Sequence, residues 1–124
     1  MTIVETGNPE LDELIYAAAE AAEAKKALEL EVIDISKISD LADYVLICSG
    51  ESAAQLKAIS QSVEGTLSAK GIEPNHKEGK YGDKWFLLDY TDFIVHIIEQ
   101  EAREFYNLEE LYSKGDFLPP RNLQ

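Results

Sequence analysis

Two carboxylates near the end of one predicted strand are the side chains best suited to catalysis. Asp89 lies near the end of the segment KWFLLDY, and Asp92 lies in the short connection that follows. Carboxylates near a strand end can hold Mg²⁺ for phosphoryl transfer. Enzymes that transfer nucleotidyl groups use such a pair at one-residue spacing, whereas the spacing here is three. Because side chains alternate between the two faces of a strand, carboxylates at this spacing do not both point toward one metal ion. The alternative is that Asp92 favours a tight turn and Asp89 is solvated.

The sequence patterns around the other reactive side chains predict structural roles for them. Cys48 lies within an apolar strand pattern, where a thiolate is poorly stabilised. His76 and His96 are twenty residues apart, and neither H-x-x-x-H nor C-x-x-C spacing is present. The segment SGES at 49–52 lacks the glycine-rich phosphate-binding patterns and is typical of a strand end followed by a helix cap. We therefore predict no catalytic residues, no metal site and no cofactor.

The charge balance excludes several classes of partner. The 124-residue chain has 24 acidic and 11 basic side chains, a net charge of −13. Such a chain has few cations to displace counterions from phosphates and is repelled by anionic membranes, so we expect a basic protein partner and little or no direct nucleic-acid binding. No apolar run approaches the roughly 20 residues that span a bilayer. The first residues resemble no signal peptide, and one cysteine suits a reducing compartment, so we expect a cytoplasmic protein.

Apolar periodicity predicts one α/β domain over 1–118 and a C-terminal tail over 119–124. The predicted helices begin at Asn8-Pro9 and Ser52, where side chains can cap free amides, and a third helical stretch covers 99–114 with a second segment from Asn107. The predicted strands cover 30–35, 43–49, about 72–78, 84–90 and 93–98. The expected fold is a mixed, roughly five-stranded sheet flanked by helices.

Trp85 is the one tryptophan of the chain and begins a predicted strand. Strand alternation places Trp85, Leu87 and Asp89 on one face and Tyr90 on the other. An aromatic anchor beside a carboxylate is typical of a protein-binding hot spot. The alternative is an edge tryptophan packed under a helix.

Two long segments resemble the ribosomal silencing factor family, also called the Iojap family. The first is ADYVLICSG at 42–50, followed by Ser52, Gln55 and Ala58-Ile59. The second is WFLLDYTDFIVHIIEQEAREFYNLEELY at 85–112, which is similar to the most characteristic stretch of the family. The resemblance runs in order from about Leu28 to Tyr112.

This resemblance implies a non-enzymatic translational repressor with a nucleotidyltransferase-like fold that lacks the catalytic apparatus. Such proteins bind large-subunit protein fourteen, a basic protein on the subunit-joining face of the large ribosomal subunit, and keep the small subunit from docking. They are commonly homodimers when free. Carried onto this chain, the expected partner-binding residues are Trp85, Leu87, Asp89, Tyr90 and Asp92. Two alternatives stay open: a Mg²⁺-dependent nucleotidyltransferase-like enzyme that uses Asp89 and Asp92, and an acidic assembly module for another basic protein.

Overall fold

The computed structural model describes residues 2–3, 7–40, 42–118 and 121–122. Its strands are β1 (Thr2–Ile3), β2 (Leu28–Asp34), β3 (Tyr44–Gly50), β4 (His76–Glu78), β5 (Trp85–Asp89), β6 (Phe93–Glu99), β7 (Asp116–Leu118) and β8 (Arg121–Asn122). Its helices are α1 (Pro9–Glu23), α2 (Ala53–Ser68), α3 (Gln100–Tyr106) and α4 (Leu108–Leu111).

Six of the strands form one sheet in the order β4-β5-β6-β3-β2-β7. The central strands β3 and β6 are parallel, and the other neighbouring pairs in this sheet are antiparallel. The predicted α/β class with a mixed sheet is confirmed, and the sheet has one strand more than the five that periodicity indicated. The additional strand, β7, has three residues, too few to show a period of two.

Central position in the sheet explains why β3 is buried along its whole length. Val45 and Ile47 point to one face of the sheet, and Leu46 and Cys48 point to the other. On the Leu46 face the core is closed by α1 and α2, whose apolar stripes pack there. The Val45 face is covered by Ala102 of α3 and the residues around it. The two faces of the sheet are therefore covered by different helices.

The first two helices begin as their capping residues predict. Asn8 Oδ1 accepts hydrogen bonds from the backbone N–H of Glu10 at 3.1 Å and of Leu11 at 3.3 Å. Ser52 Oγ accepts from Gln55 N–H at 3.1 Å, and Gln55 Oε1 accepts in return from Glu51 N–H at 2.7 Å. These side chains satisfy amides that no helical carbonyl can reach.

The break in the C-terminal helical stretch occurs at Asn107, as predicted, but through the backbone. Asn107 has φ 50° and ψ 55°, the left-handed conformation, and its side chain makes no capping hydrogen bond. Asparagine tolerates this conformation better than most residues, so α3 ends there and α4 begins in a new direction.

The division into a domain over 1–118 and a tail over 119–124 stays a prediction. Residues 119–120 and 123–124 lie outside the described residues, while Arg121–Asn122 form β8 and pair with β1. Within the described part of the chain, the helices are too short or too polar to cross a bilayer.

Candidate functional site

The outward face of β5 presents three of the residues that alternation grouped together. Trp85, Leu87 and Asp89 are each half-buried, while Phe86 and Leu88 between them are buried against the other side of the sheet. Because α3 packs over β6 and β3, it leaves this part of β5 partly open. The neighbouring edge strand β4 is exposed throughout, which extends the open face.

Trp85 is held in place by a chain of hydrogen bonds beneath this face. Its indole Nε1–H donates to His96 Nδ1 at 3.0 Å, and His96 Nε2 lies 3.0 Å from the Tyr112 hydroxyl oxygen. An indole N–H can only donate, so Nδ1 is the acceptor and the proton of the neutral imidazole is on Nε2. The ring centroids of Trp85 and His96 are 5.7 Å apart and tilted. The indole therefore has a defined orientation before any partner arrives.

Burial keeps His96 uncharged near neutral pH. The residue is 4% exposed, and removal from water lowers the pKa of its imidazole from 6.5 to about 4. Burial also raises the pKa of the Tyr112 hydroxyl. A protonated His96 would turn an N–H toward the Trp85 N–H, and the hydrogen bond between the two rings would be lost.

His96 is expected to make the fold sensitive to acid. The pKa of His96 is lower in the folded protein than in the unfolded chain, so the neutral imidazole contributes fully to the free energy of unfolding above about pH 6.5. That contribution is lost as the pH falls toward about 4. The shift corresponds to on the order of 3 kcal/mol of unfolding free energy. Urea unfolding near neutral pH and at about pH 4.5 checks this: His96→Gln keeps an acceptor and a donor but does not titrate, so it should lose less stability on acidification. Equal losses in the two proteins would contradict the expectation.

Two concavities flank Trp85. One, of about 380 Å³, is lined by Glu78, Gly79, Asp83, Trp85 and Leu87. The other, of about 390 Å³, is lined by Lys84, Glu99, Glu101, Ala102, Phe105 and Tyr106. Each combines apolar or aromatic surface with two carboxylates, so the open face offers a partner both negative charge and apolar contact area.

The aromatic side chains of α3 belong to this surface, although sequence reasoning did not single them out. Tyr106 packs 5.6 Å from Trp85, centroid to centroid, and Phe105 lies edge-on to Tyr106 at 5.1 Å. Phe105 is 82% exposed. The signal was available: neighbours on a helix point about 100° apart, so a narrow buried stripe accommodates one of two adjacent aromatic side chains more easily than both.

The remaining predicted site residues lie elsewhere. Tyr90 is 7% exposed on the opposite, helix-covered side of the sheet, where its ring stacks on Phe93 at 5.1 Å. Burial strongly raises the pKa of its hydroxyl, which has no hydrogen-bond partner among the described residues. Asp92 is exposed in the turn after β5, and its carbonyl accepts from Asp43 N–H at 3.0 Å.

Asp89 has a local structural role in that turn. Its Oδ1 accepts from Thr91 N–H at 2.8 Å, which stabilises Thr91 at a φ of 74°. Across the described ranges, no group of three or more His, Cys, Asp or Glu side chains is arranged to hold a metal ion.

A buried arginine anchors α3 beneath the aromatic residues. Arg103 is 2% exposed, and its Nη1 donates to the Glu29 carbonyl at 2.8 Å and to Ser49 Oγ at 3.0 Å. Its Nε donates to Glu109 Oε1 at 3.1 Å, and its Nη2 lies 3.4 Å from Glu31 Oε2. Burial raises the pKa of Glu31 despite the adjacent guanidinium. This network links α3 and α4 to β2 and β3.

Comparison with known proteins identifies the family. The family model described as "Ribosomal silencing factor during starvation" matches residues 8–123. The chain belongs to the ribosomal silencing factor family. The resemblance seen in the two sequence segments is thereby confirmed, and so is the expected role in ribosome-associated silencing of translation.

Relatives of this chain are found among named proteins and solved structures. The chain is 36% identical to "Ribosomal silencing factor RsfS" of Halalkalibacterium halodurans over 100 residues, which cover 81% of this chain and 86% of that protein. It is similar to the crystal structure of protein CV0518 from Chromobacterium violaceum, with a TM-score of 0.78, 31% identity and coverage of 82% and 84% of the two chains. A more distant relative, 28% identical, is the mouse protein named "Mitochondrial assembly of ribosomal large subunit protein 1"; the match covers 75% of this chain and 42% of that protein.

Proposed function

We propose that this protein represses translation in the cytoplasm by binding large-subunit protein fourteen on the subunit-joining face of the large ribosomal subunit, where it blocks docking of the small subunit. The observation that carries the proposal is the fixed, half-buried Trp85 on an open sheet face, flanked by two concavities that each contain carboxylates. An orientated aromatic residue surrounded by charge fits a protein partner better than a small substrate.

The charge of the surface favours a basic protein as the direct contact. Glu78 and Asp83 line one concavity, and Glu99 and Glu101 line the other. Together with the net charge of −13, they attract a basic partner and repel exposed RNA phosphates. A protein of this charge can therefore reach an RNA-rich particle through one of its basic proteins.

The choice of the large subunit is supported by the resemblance over 42–59 and 85–112 and by the name of the mouse relative, which refers to the ribosomal large subunit. Blocking requires no chemistry, because a folded body of 13.8 kDa at a contact point prevents the close approach of two particles. The proposed role accordingly needs no cofactor and no metal.

When free, the protein is proposed to form a homodimer, which sedimentation equilibrium can test.

Co-sedimentation with separated ribosomal subunits tests the proposal. The protein should pellet with the large subunit and stay in the supernatant with the small subunit. Large subunits stripped of protein fourteen should no longer bind this protein. Adding protein fourteen back to them should restore binding. Pelleting with neither subunit, or equally with both, would contradict the proposal.

Binding is also expected to weaken as salt rises. Between about 50 mM and about 200 mM salt, screening should lower the affinity several-fold, since exposed charges interact over a Debye length of roughly 10 Å. Pelleting at a series of salt concentrations measures the slope. As a control, Glu20→Gln removes an exposed charge from α1, away from Trp85, and should leave the slope nearly unchanged. A flat salt response in the unmodified protein would exclude a role for charge in the encounter.

A further inference from the structure

The concavity between the start of β5 and α3 is lined by charged and aromatic side chains together. Its walls are Lys84, Glu99, Glu101, Ala102, Phe105 and Tyr106, around a volume of about 390 Å³. We call it the α3 groove. It lies directly beside Trp85, because the Tyr106 ring packs against the indole at 5.6 Å.

The aromatic walls of the α3 groove are open to solvent. Phe105 is 82% exposed and Tyr106 is 59% exposed, and the two rings meet edge-to-face at 5.1 Å. Rings contribute little to a core when they are this exposed. Their faces carry negative electrostatic potential, which attracts a cation.

The carboxylates of the α3 groove are only weakly neutralised from within the chain. Lys84 Nζ lies 3.9 Å from Glu99 Oε1, and the Lys84 side chain is 71% exposed. A pair this long and this accessible contributes little, so another cation can displace the ammonium group at small cost. Glu101 is exposed at the same groove and adds a second negative charge.

We propose that the α3 groove receives an arginine side chain of the basic ribosomal partner, beside the contact made by Trp85. The proposal rests on the function proposed above and names what the acidic surface recognises. A planar guanidinium stacks on one of the two perpendicular rings, Phe105 or Tyr106, while its N–H groups pair with a carboxylate of Glu99 or Glu101. A compact ammonium cannot do both equally well. Lys84 then turns away from Glu99 into solvent.

Another ring of the molecule provides an internal reference. The Tyr81 ring already has the Lys57 ammonium 5.1 Å from its centroid, and Tyr81 is 61% exposed. An added cation therefore has less to gain at Tyr81 than at Phe105 or Tyr106. In the titration described next, the NMR signals of the Tyr81 ring therefore report non-specific effects of the added cation.

Titration of the intact protein with N-acetyl-arginine-N-methylamide, followed by the aromatic NMR signals, tests the groove without any ribosome. The Phe105 and Tyr106 ring signals should shift saturably in the millimolar range, with much smaller changes at Tyr81. The citrulline analogue, which has the same shape without the charge, should give no saturable shift. Glu101→Gln should weaken the arginine effect about threefold, whereas Glu20→Gln should not. No saturable shift, equal shifts with citrulline, or equal shifts at Tyr81 would overturn the proposal.

Variants of the exposed residues then test whether the ribosome uses the groove. Phe105→Ala should reduce affinity for the large subunit about tenfold with an unchanged fold, whereas Leu111→Ala, which removes another exposed apolar side chain outside the groove, should change it less than about twofold. Equal affinities of Phe105→Ala and the unmodified protein would overturn the proposal. If the unmodified protein does not bind the large subunit, the proposed function fails, and the arginine titration alone decides whether the groove takes a guanidinium.

Discussion

Replacing Trp85 with alanine is expected to weaken binding to the large ribosomal subunit by about 2 kcal/mol or more, roughly thirtyfold. The indole is half-buried before binding and is held by His96 and Tyr106, so little conformational freedom remains to be lost when a partner covers it. Such preorganised aromatic side chains contribute most of the energy of many interfaces. Pelleting or biolayer interferometry with purified large subunits measures the loss.

Two further variants separate a lost contact from a damaged fold. Trp85→Phe keeps an aromatic ring but cannot donate to His96, so it should bind with an affinity between those of the unmodified protein and Trp85→Ala. Tyr81→Ala removes an exposed aromatic side chain from the other side of the turn and should bind normally. Urea unfolding should show that Trp85→Ala is folded under the binding conditions. An unchanged affinity in folded Trp85→Ala would remove Trp85 from the interface.

Replacing Arg103 with methionine is expected to lower the free energy of unfolding by about 3–5 kcal/mol. The guanidinium is buried and donates to a backbone carbonyl, a serine hydroxyl and Glu109, and it faces Glu31 at 3.4 Å. Methionine fills part of the volume but leaves the Glu29 carbonyl without its donor and the Glu31 carboxylate without its cation. Because burial raises the pKa of Glu31 even beside Arg103, removal of the arginine should favour its protonated form further.

Urea or thermal unfolding checks the effect of Arg103. The matched control is Lys84→Met, which also replaces a cationic side chain with methionine, but at a side chain that is 71% exposed, and its effect should stay within about 0.5 kcal/mol. Adding Glu31→Gln to Arg103→Met should recover part of the loss, since it removes the unpaired charge. A loss below about 1 kcal/mol for Arg103→Met would show that the buried network is not what anchors α3.

Sequence patterns within short segments were sufficient to predict much of the fold. The alternation in β5 correctly separated Trp85 and Leu87 from Phe86 and Leu88, because one face of that strand is buried and the other is half-open. The caps at Asn8 and Ser52 followed from side chains that satisfy nearby amides. In both cases the deciding contacts lie within a few residues of chain.

The parts that could not be predicted depend on contacts between distant segments. Alternation alone places His96 on one strand face with Ile94 and Ile98, yet its role comes from Trp85 on one neighbouring strand and Tyr112 beyond α4. Arg103 would be expected on a helix surface, and only the approach of β2 and β3 shows that it is buried. No periodicity within a segment carries that information.

The surface around Trp85 was predicted in part. Strand alternation grouped Trp85, Leu87 and Asp89, and it also put Tyr90 on the far side, where the structure finds it buried. The contribution of α3 was not foreseen, because the path of the chain after β6 brings Tyr106 to Trp85 and Phe105 to Tyr106. The left-handed Asn107 then turns the chain away. The Trp85 and Tyr106 rings, 5.6 Å apart, connect the two concavities of this surface, since Trp85 lines one and Tyr106 lines the other.

Light-scattering measurement of subunit joining tests the central claim most directly. Purified large and small subunits are mixed after the large subunits have been incubated with this protein, with Trp85→Ala or with Tyr81→Ala. We predict that the unmodified protein and Tyr81→Ala reduce joining in proportion to the large subunits occupied, while Trp85→Ala at the same concentration has little effect. Normal joining by large subunits that are saturated with the unmodified protein would contradict the account.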